Sequence, residues 1–294
     1  MRKNFKNNIH PKITDLFENY KAGLLDRREF LKTLTKFAGG AAAAVTLLPI
    51  LEKAYAKGQF IAENDSRLQT EYVKYPGETG EVIAYSAMPK GQDRLPAVIV
   101  IHENRGLQPH IEDVSRRVAL EGFLAVAPDA LSPLGGTPKD NVDEARAKMR
   151  ELDGGATIKN FVAAVAYLKT HPQSTGKVGC MGFCWGGGIT NQVAVNAPDL
   201  AAAVPFYGRQ PAPEDVHKIK ASLMCHYAGL DKRINEGIPA FEEALKKASK
   251  DYKMFMYEGC NHAFFNDTGS RYNKEASLLA FERTIAFFKE KLKT

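Results

Sequence analysis

Cys184 is the residue with the most chemical promise in this chain. It stands in Gly182-Phe183-Cys184-Trp185-Gly186, directly after the apolar run Lys177-Val178-Gly179-Cys180-Met181. An apolar strand, then Gly-x-nucleophile-x-Gly, then a helical pattern describes a nucleophile elbow, a sharp strand-to-helix turn that lifts the central side chain above a sheet. Glycines flank the elbow because a Cβ at either position would collide with the neighbouring strand and helix. A bare GxCxG is equally compatible with a buried structural cysteine, so the reading depends on partners. They follow in the order nucleophile, acid, histidine. Asp231 ends the strand-like run Ala221–Ala228 and the turn Gly229-Leu230, and His262 lies in the loop Glu258-Gly259-Cys260-Asn261-His262 after Tyr252–Tyr257. Catalytic groups of open α/β sheets gather at the carboxyl ends of strands, so Cys184, Asp231 and His262 can converge although distant in sequence.

Alternating patterns of period 2 and 3.6 define the frame that positions them. Strands are expected near 70–75, 81–88, 97–102, 123–127, 177–182, 202–207, 221–228 and 252–257. Helices fall near 111–121, 141–151, 156–170, 186–196, 236–249 and 273–292. Such alternation predicts an α/β fold: one mainly parallel, doubly wound sheet of about eight strands covered on both faces. Pro76-Gly77-Glu78-Thr79-Gly80 joins the first two strands as an antiparallel hairpin at one edge. No internal repeat or second folded domain is visible, and 57–294 suits a single domain.

A fourth element completes the pattern. After the strand Ala97–Ile101 comes His102-Glu103-Asn104-Arg105-Gly106-Leu107, in the place that supplies one oxyanion-hole amide in α/β-hydrolases. With Ala127-Pro128-Asp129, the GFCWGG box at 182–187, Gly229-x-Asp231 and His262-Ala263-Phe264, the chain resembles the dienelactone hydrolase (carboxymethylenebutenolidase) family over most of 68–292. The resemblance implies an α/β-hydrolase fold and a cysteine-dependent hydrolase of a small ester or lactone, working through an acyl-enzyme without a cofactor. It implies catalytic roles for Cys184, Asp231, His262 and Glu103, the last contacting the cysteine and helping to form the thiolate, which is the competent nucleophile. The backbone amides of Trp185 and Asn104 are the expected oxyanion hole. Tyr207, Phe264 and Phe265 are expected to line the substrate pocket beside Glu103 and Trp185.

The chain departs from the family at two arginines that hold a substrate carboxylate. Leu131-Ser132-Pro133 and Phe265-Asn266-Asp267 occupy those places. Arg271 is first in line to substitute, with Arg105 or Arg209 as other sources, and without a substitute neutral lactones or short esters are favoured. Two other readings share the same residues: thiol acyl transfer on the triad, and a catalytically silent small-molecule-binding protein on the hydrolase fold.

The N-terminus reads as an address. Asp26-Arg27-Arg28-Glu29-Phe30-Leu31-Lys32 is a twin-arginine pattern ahead of a weakly apolar stretch, Phe37 to Leu51, and an A-x-A site at Ala54-Tyr55-Ala56. The stretch is shorter than the roughly 20 residues of a permanent span. Residues 1–56 are therefore expected to be a signal handed to the twin-arginine translocation machinery and removed near Ala56, leaving a periplasmic protein without a stable membrane anchor. The chain's formal net charge is +6, but residues 1–56 carry ten Lys/Arg and five Asp/Glu of its 40 and 34, which leaves 57–294 at +1. Nucleic-acid binding is not expected from such a balance.

Four cysteines in an exported protein raise disulfides. Cys180 and Cys225 fall in core strands, Cys260 near the site, and no bridge is expected to include Cys184. His102, Glu103 and His110 lack zinc spacing, and no metal site is expected.

Overall fold

The computed structural model describes Leu16, Leu25, Arg27–Ala38, Gly40 and residues 61–292. By its contacts the chain divides into two compact units, 1–59 and 60–294. In the first, Arg27–Ala38 form helix α1, in which Arg28 is exposed. Nearly all of the expected apolar stretch and the Ala54-Tyr55-Ala56 site lie outside the described residues. Among the described residues no helix is long and apolar enough to cross a membrane.

The second unit is an eight-stranded sheet flanked by helices. The strands are β1 Leu68–Gly77, β2 Gly80–Pro89, β3 Leu95–Ile101, β4 Leu124–Pro128, β5 Ser174–Phe183, β6 Ala202–Phe206, β7 Ser222–Ala228 and β8 Tyr252–Tyr257. Their order is β1-β2-β4-β3-β5-β6-β7-β8. β1 pairs antiparallel with β2, and β2 antiparallel with β4, while all later pairings are parallel. The edge hairpin and the doubly wound α/β sheet stand as the sequence patterns predict. The helices are α2 Pro109–Leu120, α3 Val142–Glu151, α4 Gly154–Thr170, α5 Trp185–Asn196, α6 Lys232–Asn235, α7 Ile238–Lys247 and α8 Lys274–Leu292. The single turn α6 has too few residues to leave a periodic signal.

The central strands β3, β4 and β6 are apolar without a break because both faces are covered. In β3, Ala97, Ile99 and Ile101 pack into one core with Phe161, Val165 and Leu168 of α4 and Val193 of α5. Val98 and Val100 join the opposite core with Val114 and Val118 of α2 and Phe288 of α8. Period 2 along a strand thus serves two apolar layers.

The close fit of α5 against the sheet explains the glycine box. A Cβ on Gly186 would strike the carbonyl oxygens of Ile101 and His102, and one on Gly187 would lie 2.5 Å from Phe206 O. Only bare backbone lets α5 start this near β3 and β6, and that start is where Cys184 stands.

Candidate active site

Three strand ends deliver the three expected catalytic side chains to one place. Cys184 is the residue between β5 and α5, with φ +57° and ψ −112°. Its N–H donates to Phe206 O at 3.0 Å, and its carbonyl accepts from Gly188 N at 3.2 Å, so the elbow is tied to β6 and to the first turn of α5. Asp231 follows β7. Its loop is joined to the one after β8 by Gly229 N to Tyr257 O and Leu230 N to Cys260 O, both 2.9 Å. These bonds bring the Asp231 carboxylate to His262, whose Nδ1–H donates to Oδ2. The other ring nitrogen, Nε2, is buried and has no partner. A histidine held in this way presents a free lone pair at Nε2, the form a general base requires.

Cys184 and His262 share the wall of a cavity of about 810 Å³ with Asn104, Trp185, Tyr207, Arg209, Gln210, Arg233, Ile234 and Phe241, among others. The Trp185 N–H, the first of α5, favours the ionised form of the Cys184 sulfur. Helix starts expose N–H groups and the positive end of the dipole, which suits a developing oxyanion. Asn104 is exposed at the cavity, on the loop after β3.

Glu103 is 7 % exposed. Its Oε2 accepts from Asn266 Nδ2 at 2.6 Å, and its Oε1 has no partner. The orientation of the Asn266 amide is fixed from the other side, where its Oδ1 accepts from Thr268 N at 3.0 Å and Thr268 Oγ1 at 2.5 Å. Burial pushes the Cys184 thiol up to about 11, with the Glu103 carboxylate adding to the rise; Trp185 N–H and Arg233 pull the other way. At neutral pH the sulfur therefore keeps its proton, and the elbow alone does not make a nucleophile.

Several supports for this loop carry no motif of their own. His102 is fully buried, its Nδ1–H donating to Glu103 O at 2.6 Å while Nε2 accepts from Ala130 N at 3.1 Å. Its ring stacks on Trp185 at 5.4 Å. Burial holds the His102 imidazole below its usual range, in the neutral form this pair of bonds needs. Asp129 accepts from Leu131 N, Thr137 N and Thr137 Oγ1 at 2.7–2.9 Å, and Thr137 Oγ1 accepts from Leu107 N at 2.8 Å. The segment Ala127-Pro128-Asp129 thereby pins the loop that carries Glu103 and Asn104.

Three expected pocket residues stand elsewhere. Phe264 and Phe265 are 0 % and 2 % exposed and belong to the core, Phe264 against Tyr207 and Tyr257, Phe265 against Phe183 and Phe206. Ala263, at φ +67°, turns the chain inward after His262, which carries both rings beneath the site. Arg271 is exposed and absent from the cavity wall. The arginines that do line the cavity are Arg209, on the loop after β6, and Arg233, on α6. Arg233 lies two residues after Asp231 in a segment whose shortness hid it. All four cysteines are free thiols.

The sequence profile of the dienelactone hydrolase family matches residues 82–292. A protein of Saccharolobus solfataricus named "Putative carboxymethylenebutenolidase" is 34 % identical over 252 residues, covering 73 % of this chain and 96 % of its own. One of the same name from Synechocystis is 30 % identical over 244 residues, covering 77 % and 98 %. Among solved structures, "Putative Dienelactone Hydrolase from Klebsiella pneumoniae" superposes with a TM-score of 0.67 at 25 % identity, covering 75 % of this chain and 98 % of that one.

A raised thiol has a measurable signature. Iodoacetamide on the folded protein labels Cys184 first, because Cys180, Cys225 and Cys260 are 0–3 % exposed. The thiolate is the reactive form, so labelling is slow at pH 7 and accelerates about tenfold per pH unit until it levels near the value of about 11. Peptide mapping after alkylation at graded pH checks both statements. Primary labelling at Cys260, or a rate flat between pH 7 and 9, contradicts them.

Proposed function

The chain belongs to the dienelactone hydrolase family, and from that membership we propose that it hydrolyses a carboxylated lactone or ester through a thioester on Cys184. The observation that carries this reading is the meeting of Cys184 and His262 in one cavity wall, with His262 Nδ1 on Asp231 and Nε2 free. Because the resting sulfur is protonated, a base must act before attack. Glu103 is that base: it is buried, its Oε2 is held by Asn266, and it is the charged group that weighs most on the Cys184 thiol.

In this scheme the substrate carbonyl oxygen sits toward the Trp185 and Asn104 amides. The Cys184 S–H proton passes to Glu103, and the sulfur electron pair forms the bond to the carbonyl carbon. The amides hold the oxyanion, an arrangement in which each donor is worth roughly 3–4 kcal/mol. As the tetrahedral centre collapses, the ring or ester C–O bond breaks and His262 relays the proton to the leaving oxygen. A water then loses a proton to His262 Nε2, its oxygen attacks the thioester carbonyl, and that proton returns to sulfur as the acid departs. Asp231 holds the ring in the productive tautomer throughout.

The charge of the substrate is argued from Arg209 and Arg233. Neither is within salt-bridge distance of a carboxylate among the described residues, whereas Arg67, Arg117 and Arg146 all are. The name carried by the relatives denotes a carboxylated lactone, and two unspent guanidiniums in the cavity supply a clamp from positions other than the family's. This replaces the preference for neutral lactones expected from residues 131–133 and 265–267. We also propose that residues 1–56 act as a twin-arginine export signal, a reading supported by Arg27-Arg28 and the A-x-A site.

Replacing His262 by Ala, or Asp231 by Asn, lowers kcat about 10³–10⁴-fold on an aryl ester while the melting temperature stays within a few degrees. Near-full activity in His262→Ala removes the triad. The double variant Arg209→Gln/Arg233→Gln reduces kcat/KM for a carboxylated ester about tenfold or more and spares its neutral counterpart, since a charge-assisted contact is worth roughly 1.5–3 kcal/mol. Equal losses on both substrates refute the clamp. Changing Arg27 and Arg28 to Lys leaves full-length precursor in the cytoplasm of an expressing bacterium, because the pair is read by a receptor as well as by charge. Undiminished periplasmic yield, measured by fractionation and immunoblot, refutes the export route.

A further inference from the structure

The register of the sheet puts Tyr207 beside the nucleophile. β5 and β6 are parallel with Phe183 opposite Phe206, so the next residue on each strand, Cys184 and Tyr207, leaves the sheet at the same level. Both leave in the left-handed region, at φ +57° and +38°. Among the described residues only two other non-glycine residues have positive φ, and one of them, Ala263, directly follows His262. Such conformations cost on the order of 1–3 kcal/mol each and persist where the surroundings dictate them, most often at functional sites. Tyr207 is held by its own N–H, which donates to His226 O at 2.7 Å.

The Tyr207 side chain is fully buried, its ring 5.0 Å from the His262 ring and 5.4 Å edge-on to Phe264. A buried tyrosine ordinarily finds a partner for its hydroxyl. This one has none, although Tyr207 forms part of the same cavity wall as Cys184 and His262. Glu103 Oε1 and His262 Nε2 are likewise buried and unpartnered. Each such atom costs roughly 1–3 kcal/mol when left unpaired. Tyr207 and His262 share the cavity wall with Cys184, and the Glu103 charge acts on both Cys184 and Tyr207, which points to contacts that form during the reaction. The scheme above already employs two of them, Glu103 and His262, as proton acceptors. The third is a donor. Burial holds the phenol well above its ordinary value, Glu103, Cys184 and Asp267 adding to the rise while Arg271 opposes it, so it keeps its proton.

We infer that Tyr207 is a further catalytic residue, whose hydroxyl donates a hydrogen bond to the Cys184 sulfur once that sulfur has lost its proton. The inference rests on the nucleophilic role proposed for Cys184. In the step concerned, the S–H bond breaks, the proton moves to Glu103 Oε1 and the electron pair stays on sulfur. The Tyr207 O–H bond remains intact and its hydrogen turns to the new acceptor. Glu103 is the poorer acceptor at that moment, because Oε2 is engaged by Asn266 and Oε1 has just been protonated. The Trp185 N–H and Arg233 are the groups that already favour the thiolate.

Tyr207→Phe tests this, since it keeps the ring packing and removes one oxygen. The pH midpoint of Cys184 alkylation by iodoacetamide moves up by about one unit, a tenfold loss of thiolate at a given pH. On an aryl ester, kcat falls about tenfold or more with KM within about twofold of wild type, as expected when a contact exists only after the thiolate forms. 3-Fluorotyrosine placed at 207 is a better donor and moves the alkylation midpoint the other way. An unchanged midpoint in both variants overturns the inference. So does a downward shift in Tyr207→Phe, which identifies Glu103 as the hydroxyl's partner. Cys184→Ala separates this failure from a deeper one. If Cys184→Ala still hydrolyses the ester, the nucleophile itself is misassigned. If Cys184→Ala is inactive and Tyr207→Phe behaves as wild type, only the role of Tyr207 falls.

Discussion

A cysteine at φ +57° and ψ −112° does not stay there unaided, and the arrangement of this site follows from what holds it. The bond from Cys184 N–H to Phe206 O ties the elbow to the next strand, and the carbonyl is committed to Gly188 N. The start of α5 can press against β3 only because Gly186 has no side chain to meet the Ile101 and His102 carbonyls. Once that contact is made, the loop after β3 has one place to go, directly over the nucleophile. Glu103 and Asn104 are positioned by the packing of α5 as much as by their own hydrogen bonds. Strain at the elbow, of order 1–3 kcal/mol, is a small opposing term in a domain with two continuous apolar layers.

The electrostatics of the site are those of a weapon kept unloaded. A buried thiol next to a buried carboxylate is a poor thiolate, since burial and like charge both favour the neutral sulfur. Protein electrostatics in the resting state therefore oppose the reaction that the residues are suited to. The neutral Asn266 amide holds Glu103 in place without a full positive charge beside it, and leaves Oε1 without a partner. On the mechanism proposed above the thiolate forms only as the attack begins, which would limit exposure of sulfur to stray electrophiles and oxidants.

Most of the frame and the chemical centre were legible in the sequence, for physical reasons. Strands covered on both faces are apolar along their buried length, those at the edges are bounded by turn residues, and the helices between them carry a 3.6 period, so all eight strands could be read from pattern. Cys184, Asp231 and His262 were legible because each ends a recognisable strand. What escaped was set by turns. Phe264 and Phe265 looked like pocket residues from their distance to His262, but one left-handed residue, Ala263, sends them into the core. Arg233 sits on a four-residue helix too short to show a period. Asn266, Thr137 and His102 act by hydrogen bonds to partners 30 to 163 residues away or to backbone atoms, and composition and spacing carry no trace of such pairings. Tyr207 was visible as a pocket residue; its register with Cys184 was not.

The two bonds of the His102 ring have a consequence for proton uptake. Nε2 accepts from Ala130 N–H, which only a neutral imidazole can do, and burial lowers the proton affinity of the folded state. The unfolded chain binds a proton at this residue near pH 6.5, the folded chain only below that, so this contribution to stability is intact above about 6.5 and erodes as the pH falls. The proton that finally enters severs the link between the end of β4 and the loop bearing Glu103 and Asn104. Acid would then disable the enzyme by detaching part of its scaffold, an acid limb that belongs to architecture and runs independently of the titration of the reacting groups.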